Sequence, residues 1–164
     1  MAKTTVMQKP FTALYSQMRQ NSSLKDMDTL FKMNHIYASI TEIQSTQELT
    51  LVHFKSKEHS LAMVSLQLNS SIQKQTKVLL TTKATNIALA KEPITQLSHA
   101  NQLSVTIKSI QKGAILYALE LLFEESILES LITAKAAQQM DLKVGDQLTA
   151  LIQASDLSIA EILS

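Results

Sequence analysis

Apolar and polar positions nearly alternate over residues 36–43, where Ile36, Ala38, Ile40 and Ile43 are interleaved with Ser39, Thr41 and Glu42. The same rhythm returns over 103–110 in Leu103, Val105, Ile107 and Ile110. A period of two sends one set of side chains to a core and the other to solvent, which predicts half-buried strands. Segments 48–54 and 60–66 read as a strand pair around the polar turn Lys55-Ser56-Lys57-Glu58-His59. Segments 114–123 and 127–133 read the same way. Leu, Glu and Ala between Gly113 and Leu131 also favour helix. The match of this stretch to 48–66 decides for strands. Residues 134–140 suit one or two helical turns, and 141–147 turn the chain at Gly145, which tolerates positive φ. Residues 148–152 and 157–160 supply two last strands.

The pattern occurs twice. Asn34-His35-Ile36-Tyr37-Ala38-Ser39-Ile40 lies over Asn101-Gln102-Leu103-Ser104-Val105-Thr106-Ile107, 67 positions on. Lys83-Ala84-Thr85-Asn86-Ile87 lies over Gln153-Ala154-Ser155-Asp156-Leu157, 70 positions on, and Met63-Val64-Ser65-Leu66 is laid over Leu131-Ile132-Thr133-Ala134, 68 positions on. Internal repetition fixes the organisation before any other feature. Two copies, residues 31–92 and 96–164, join at Lys91-Glu92-Pro93. The expected fold is all-β: two tandem small OB-like β-barrels, each of five strands and a short helix. Residues 1–30 match neither copy. They are expected to form a short N-terminal helical extension, with helix over 11–19 and another turn or two over 24–31.

Composition then removes whole classes of function. Among 164 residues there are two glycines, so neither a P-loop nor a G-x-G-x-x-G fingerprint can be written. There is no cysteine, which removes disulfides, zinc fingers and thiol nucleophiles and fits a reducing compartment. A net charge of +1 with Arg19 as the single arginine argues against direct nucleic-acid binding, as do the seven aromatic residues. No apolar run approaches the ~20 residues of a membrane span, and the start has no signal-peptide core. A cytoplasmic chain without membrane insertion is expected. His35, His53, His59 and His99 lack metal-ligand spacing. Glu124, Glu125 and Glu129 read as a solvated hairpin tip, and no nucleophile elbow is present. The chain is expected not to be an enzyme.

Three segments carry a family resemblance: Ser98-His99-Ala100-Asn101-Gln102-Leu103, Asp141-Leu142-Lys143-Val144-Gly145-Asp146-Gln147-Leu148, and Ala154-Ser155-Asp156-Leu157-Ser158-Ile159-Ala160. Together they resemble the Mop, or molbindin, domain of the transport-associated OB (TOBE) group. Residues 97–163 are the better match and 32–90 the weaker. The whole is similar to a di-Mop module such as the effector half of the molybdate regulator ModE. The resemblance implies binding of molybdate or tungstate at interfaces between domains or subunits, for storage, sensing or transport regulation, and a homo-oligomer, dimer or trimer.

Carried over by position, the resemblance implies oxyanion contacts from Ser98, Asn101, Thr133 and Ser155 in the second copy and from Ser65, Lys83 and Thr85 in the first. A desolvated dianion needs such hydroxyls, amides and an ammonium around it. The chain departs from the family pattern at its cationic positions, which are Met33, Ala100 and Gln153, and Phe31 stands where the first copy would place its serine. Lys83 is the one matched cation. Those departures keep a second expectation open, a degenerate di-Mop module that serves assembly without tight anion binding.

Overall fold

The computed structural model describes residues 32–163. The helical extension expected over 1–30 lies outside them. Ten strands form two five-stranded antiparallel sheets. The first half contributes β1 (Met33–Ser45), β2 (Thr50–Ser56), β3 (His59–Ser65), β4 (Lys77–Lys83) and β5 (Ala88–Ala90). The second contributes β6 (Asn101–Lys112), β7 (Leu116–Phe123), β8 (Ser126–Thr133), α1 (Ala134–Gln139), β9 (Gln147–Ile152) and β10 (Ser158–Leu163). A 3₁₀ turn precedes the last strand of each half, at Ala84–Asn86 and Ala154–Asp156.

The strand orders are β10-β4-β1-β2-β3 and β5-β9-β6-β7-β8. Each sheet therefore takes four strands from one half and its fifth from the other. This corrects the expectation that each repeat closes on its own five strands. The 3₁₀ turns carry the chain across, and Ile87 and Leu157, which follow them, are each 1 % exposed in a core continuous through both halves. Burying such a side chain contributes roughly 1.5–3 kcal/mol, so the exchange is held by the core and by the new strand pairings together.

The repeat is visible in detail. β1 bulges between Ile40 and Glu42, and β6 between Ile107 and Ser109. Bulges at matching positions mark the same bend in each half. Ile40 and Ile107 each exchange two backbone hydrogen bonds with the turn before the fourth strand of their half. The turn residue is Gln75 in one (φ 68°) and Gly145 in the other (φ 92°).

The halves differ after the third strand. A short helix was expected in both, yet among the described residues only the second half forms one. Thr133 caps it, its hydroxyl accepting from the Ala136 N–H at 3.2 Å, and Ala134-Lys135-Ala136-Ala137 favours helix. In the first half Asn69 accepts from the N–H and hydroxyl of Ser71, and its carbonyl accepts from the Ile72 N–H. Those local bonds give the backbone a turn instead of a helix.

Candidate functional site

The two halves meet through a matched pair of asparagine clamps. Asn34, at the start of β1, donates from Nδ2 to the Glu129 carbonyl at 2.8 Å and accepts from the Glu129 N–H at 2.7 Å. Asn101, at the start of β6, donates to the Ala62 carbonyl at 3.0 Å and accepts from the Ala62 N–H at 2.6 Å. Each carboxamide imitates the backbone of a neighbouring strand, and both side chains are buried, at 4 % and 0 % exposure. Asn101, expected to contact an oxyanion, is thus committed to Ala62 of the other half. Burial strengthens these pairings, because the bonded backbone groups have no water to turn to.

The clamps also fix the register between repeats. Ala62 and Glu129 are 67 positions apart, as are Asn34 and Asn101. The pairs Thr50↔Ser65 and Tyr117↔Ile132 keep that same spacing. Ser65 therefore corresponds to Ile132, and Thr133 to Leu66. The matching of Ser65 with Thr133 was one residue out of step, and a one-residue slip along a strand moves a side chain to the opposite face. The two hydroxyls are accordingly used differently. Ser65 donates to the Gln67 carbonyl at 2.6 Å, whereas Thr133 is the helix cap.

Of the expected oxyanion residues, Ser65 and Ser155 are brought together. Both line a cleft of about 480 Å³ with Ser158, Gln67, Asn69 and Glu161. One wall is the end of β3 and the connector after it; the other is the second 3₁₀ turn and β10. Glu161 is the only charged residue in the lining. Gln153, which precedes this turn, supplies no cation. At the pseudo-symmetric junction β8 packs against the first 3₁₀ turn, where the buried Ser130 hydroxyl donates to the Ile87 carbonyl at 2.7 Å. Lys83 and Thr85 are exposed at this second junction. Ser98 is exposed in the linker before β6, separated in sequence from all of these.

Glu129 departs from the expected hairpin tip. It sits mid-strand on β8, 7 % exposed, and is paired with Lys32. The actual tip, Glu124-Glu125, docks on the tip of the first half. His59 Nδ1 lies 3.0 Å from Glu124, the Ser56 hydroxyl donates to Glu124 at 3.2 Å, and Lys57 pairs with Glu125 at 3.0 Å. Lys57 and Glu124 hold matching left-handed turn positions, φ 47° and 54°. Sequence reasoning favoured backbone bonding by Asn34 and Asn101 at their strand starts, but it found neither their partners, Glu129 and Ala62, nor this contact between tips. The equal spacing of Asn34 and Asn101 was the available signal, but no pattern within one strand announces its partner. Among the described residues no group of three His, Cys, Asp or Glu gathers to hold a metal, and no helix is long and apolar enough to cross a membrane.

The TOBE domain model matches residues 97–159. Among solved structures, the fold is similar to that of the cytoplasmic molybdate-binding protein ModG with molybdate bound, at 23 % identity and a TM-score of 0.71, covering 77 % of this chain and 94 % of that one. A molybdate-binding protein from Sporomusa ovata is 30 % identical over 43 % of this chain and 100 % of its own, with a TM-score of 0.38. None of the curated proteins gives a significant match.

Proposed function

We propose, from the match of residues 97–159 to the TOBE domain, that the chain binds a tetrahedral oxyanion, molybdate or tungstate, at the junctions between its two halves. The observation that carries this reading is the meeting of Ser65 and Ser155, ninety residues apart, in one cleft. The exchange of fifth strands supports it, because it makes each junction depend on both halves. On this reading each sheet is an OB-like barrel completed by the other repeat, and the units are residues 31–92 and 96–164. The role is binding rather than catalysis, in storage or in sensing and transport regulation, in the cytoplasm.

The two junctions are not equivalent in charge. Lys83 and Thr85 stand at one; Ser65, Ser155 and Glu161 stand at the other with no lysine or arginine among the lining residues. Charge-assisted hydrogen bonds contribute about 1.5–3 kcal/mol each, so the Lys83 junction is the tighter site. Calorimetry with molybdate, tungstate, sulfate and phosphate tests this. Lys83→Ala is expected to weaken binding by about tenfold to a hundredfold, since ~1.4 kcal/mol is tenfold. Gln153→Lys is expected to strengthen binding at the Ser65–Ser155 junction. No heat from the parent chain, and none after Gln153→Lys, refutes the oxyanion reading.

The lone acidic lining residue Glu161 favours the second reading, a degenerate di-Mop module that serves assembly. Val64 and Ile162, on the edge strands β3 and β10, are exposed apolar residues beside the same cleft, and Leu66 follows β3 at 76 % exposure. Exposed edges and apolar side chains support a homo-oligomer, dimer or trimer. Sedimentation of a stable monomer at micromolar concentration, with or without anion, would contradict that.

A further inference from the structure

On the outer face of the first sheet, Ser39 of β1 lies directly opposite Lys55 of β2 on one side and Lys77 of β4 on the other. Directly paired residues share a face, with Cβ atoms about 5 Å apart, so the two lysines flank the serine and stand about 10 Å from each other at Cβ. Their four-carbon stems can close that distance on a ligand. The row borders a cleft of about 360 Å³ that is also lined by Leu163, paired with Lys77, and by Tyr37, itself 65 % exposed.

Neither Lys55 nor Lys77 makes a salt bridge among the described residues, although two carboxylates line the same cleft. Those carboxylates are otherwise engaged. Glu124 is held by His59 and Ser56, and Glu125 by Lys57. The fold does not require the lysine pair. At the matching row of the second sheet, Thr106 is flanked by Leu122 of β7 and Gln147 of β9. The same backbone thus carries two ammonium groups around a hydroxyl in one half and none in the other.

We propose that Lys55, Ser39 and Lys77 form a second anion site, separate from the junctions between halves, that takes a small organic phosphate. Two ammonium groups and a hydroxyl match the charge and acceptor geometry of a phosphate monoester dianion. Leu163 and the exposed Tyr37 ring receive its organic body. A bare inorganic ion uses only the rim.

Calorimetry of the full chain with phenyl phosphate, inorganic phosphate and phenol tests this, with Lys55→Gln, Lys77→Gln and Lys83→Ala variants. Phenyl phosphate is expected to bind at least fivefold more tightly than inorganic phosphate, and phenol not to bind. Each of Lys55→Gln and Lys77→Gln is expected to weaken phenyl phosphate about tenfold, and Lys83→Ala to leave it unchanged. Glu125→Gln, which removes a nearby negative charge, is expected to tighten it. The proposal is overturned if phenyl phosphate does not bind the parent, if it binds no better than inorganic phosphate, or if the Lys55 and Lys77 variants bind it as the parent does. Because the readout is phenyl phosphate at Lys55 and Lys77, whereas the oxyanion reading is tested with molybdate and Lys83→Ala, the two outcomes are separable.

Discussion

The first and second halves share a backbone plan and differ in what they hang on it. Both begin with a buried asparagine clamp, bulge at the same place, and send their last strand to the other sheet. Beyond this frame they diverge. The second half has a capped helix where the first has turns, and Gly145 where the first has Gln75. The first has Lys55 and Lys77 where the second has Leu122 and Gln147. The lesson is that the elements joining the halves are kept alike, while surface rows and connectors vary. A residue shared by both halves is therefore a poor guide to ligand contact in this protein, and a residue present in one half is a better one.

The largest expected effect tests whether the clamps are equal in energy as well as geometry. Asn34→Ala and Asn101→Ala each remove two hydrogen bonds and leave an N–H and a carbonyl without that partner. Each is expected to cost about 2–4 kcal/mol in urea unfolding. The two losses should agree within about 1 kcal/mol; a larger gap would show that the halves contribute unequally despite their matching geometry.

Next in size is the connector after the third strand. Thr133→Ala removes a helix cap and is expected to lose about 1 kcal/mol. Ser65→Ala removes a hydroxyl that caps no helix and should change stability by less than about 0.5 kcal/mol. Equal losses would mean that the hydroxyls play equivalent roles, against the register found here.

The turn before the fourth strand offers a swap in both directions. A Cβ at Gly145 would meet no heavy atom within 4 Å, so Gly145→Ala meets only the strain of a left-handed backbone. Its expected cost is about 1–2 kcal/mol. Gln75→Gly relieves the corresponding strain and is expected to shift stability by under about 1 kcal/mol, in the favourable direction. Thermal denaturation of the two variants checks both signs.

The smallest effect belongs to an ion pair present in the second half alone. Lys143 holds the Asp141 carboxyl below the ordinary carboxylate range, first through a hydrogen bond and then through its charge. A depressed carboxyl contributes stability that is present above its unfolded value and lost as pH falls through the folded one. Both groups are open to water, so screening keeps the contribution small. Asp141→Asn should flatten the acid side of a stability-versus-pH curve only slightly; a large flattening would make this pair a true difference between the halves.

Much of the frame was legible in the sequence because strand alternation is local. Residues 36–43 and 103–110 carry their strand signal in their own order of apolar and polar side chains, whereas 114–131 was read as strand through its match to 48–66. The spacing of Asn34 and Asn101 marked the repeat in the same way. The candidate site residues scatter: Ser65 and Ser155 line one cleft, Asn101 bonds backbone, the role sequence favoured for it, Thr133 caps a helix, and Glu129 lies in a strand instead of at a tip.

By itself the sequence determined the all-β class, the two repeats, and the scarcity of positive charge at the family's cationic positions, since each of these is a property of composition or of short-range order. Only the tertiary structure decided that the fifth strands exchange, that Ala62 and Glu129 receive the clamps, and that Lys55 and Lys77 share a row around Ser39. The physical reason is the same in all three cases. A strand presents identical hydrogen-bonding groups whatever its side chains, so its choice of partner is made by the core that several elements bury together.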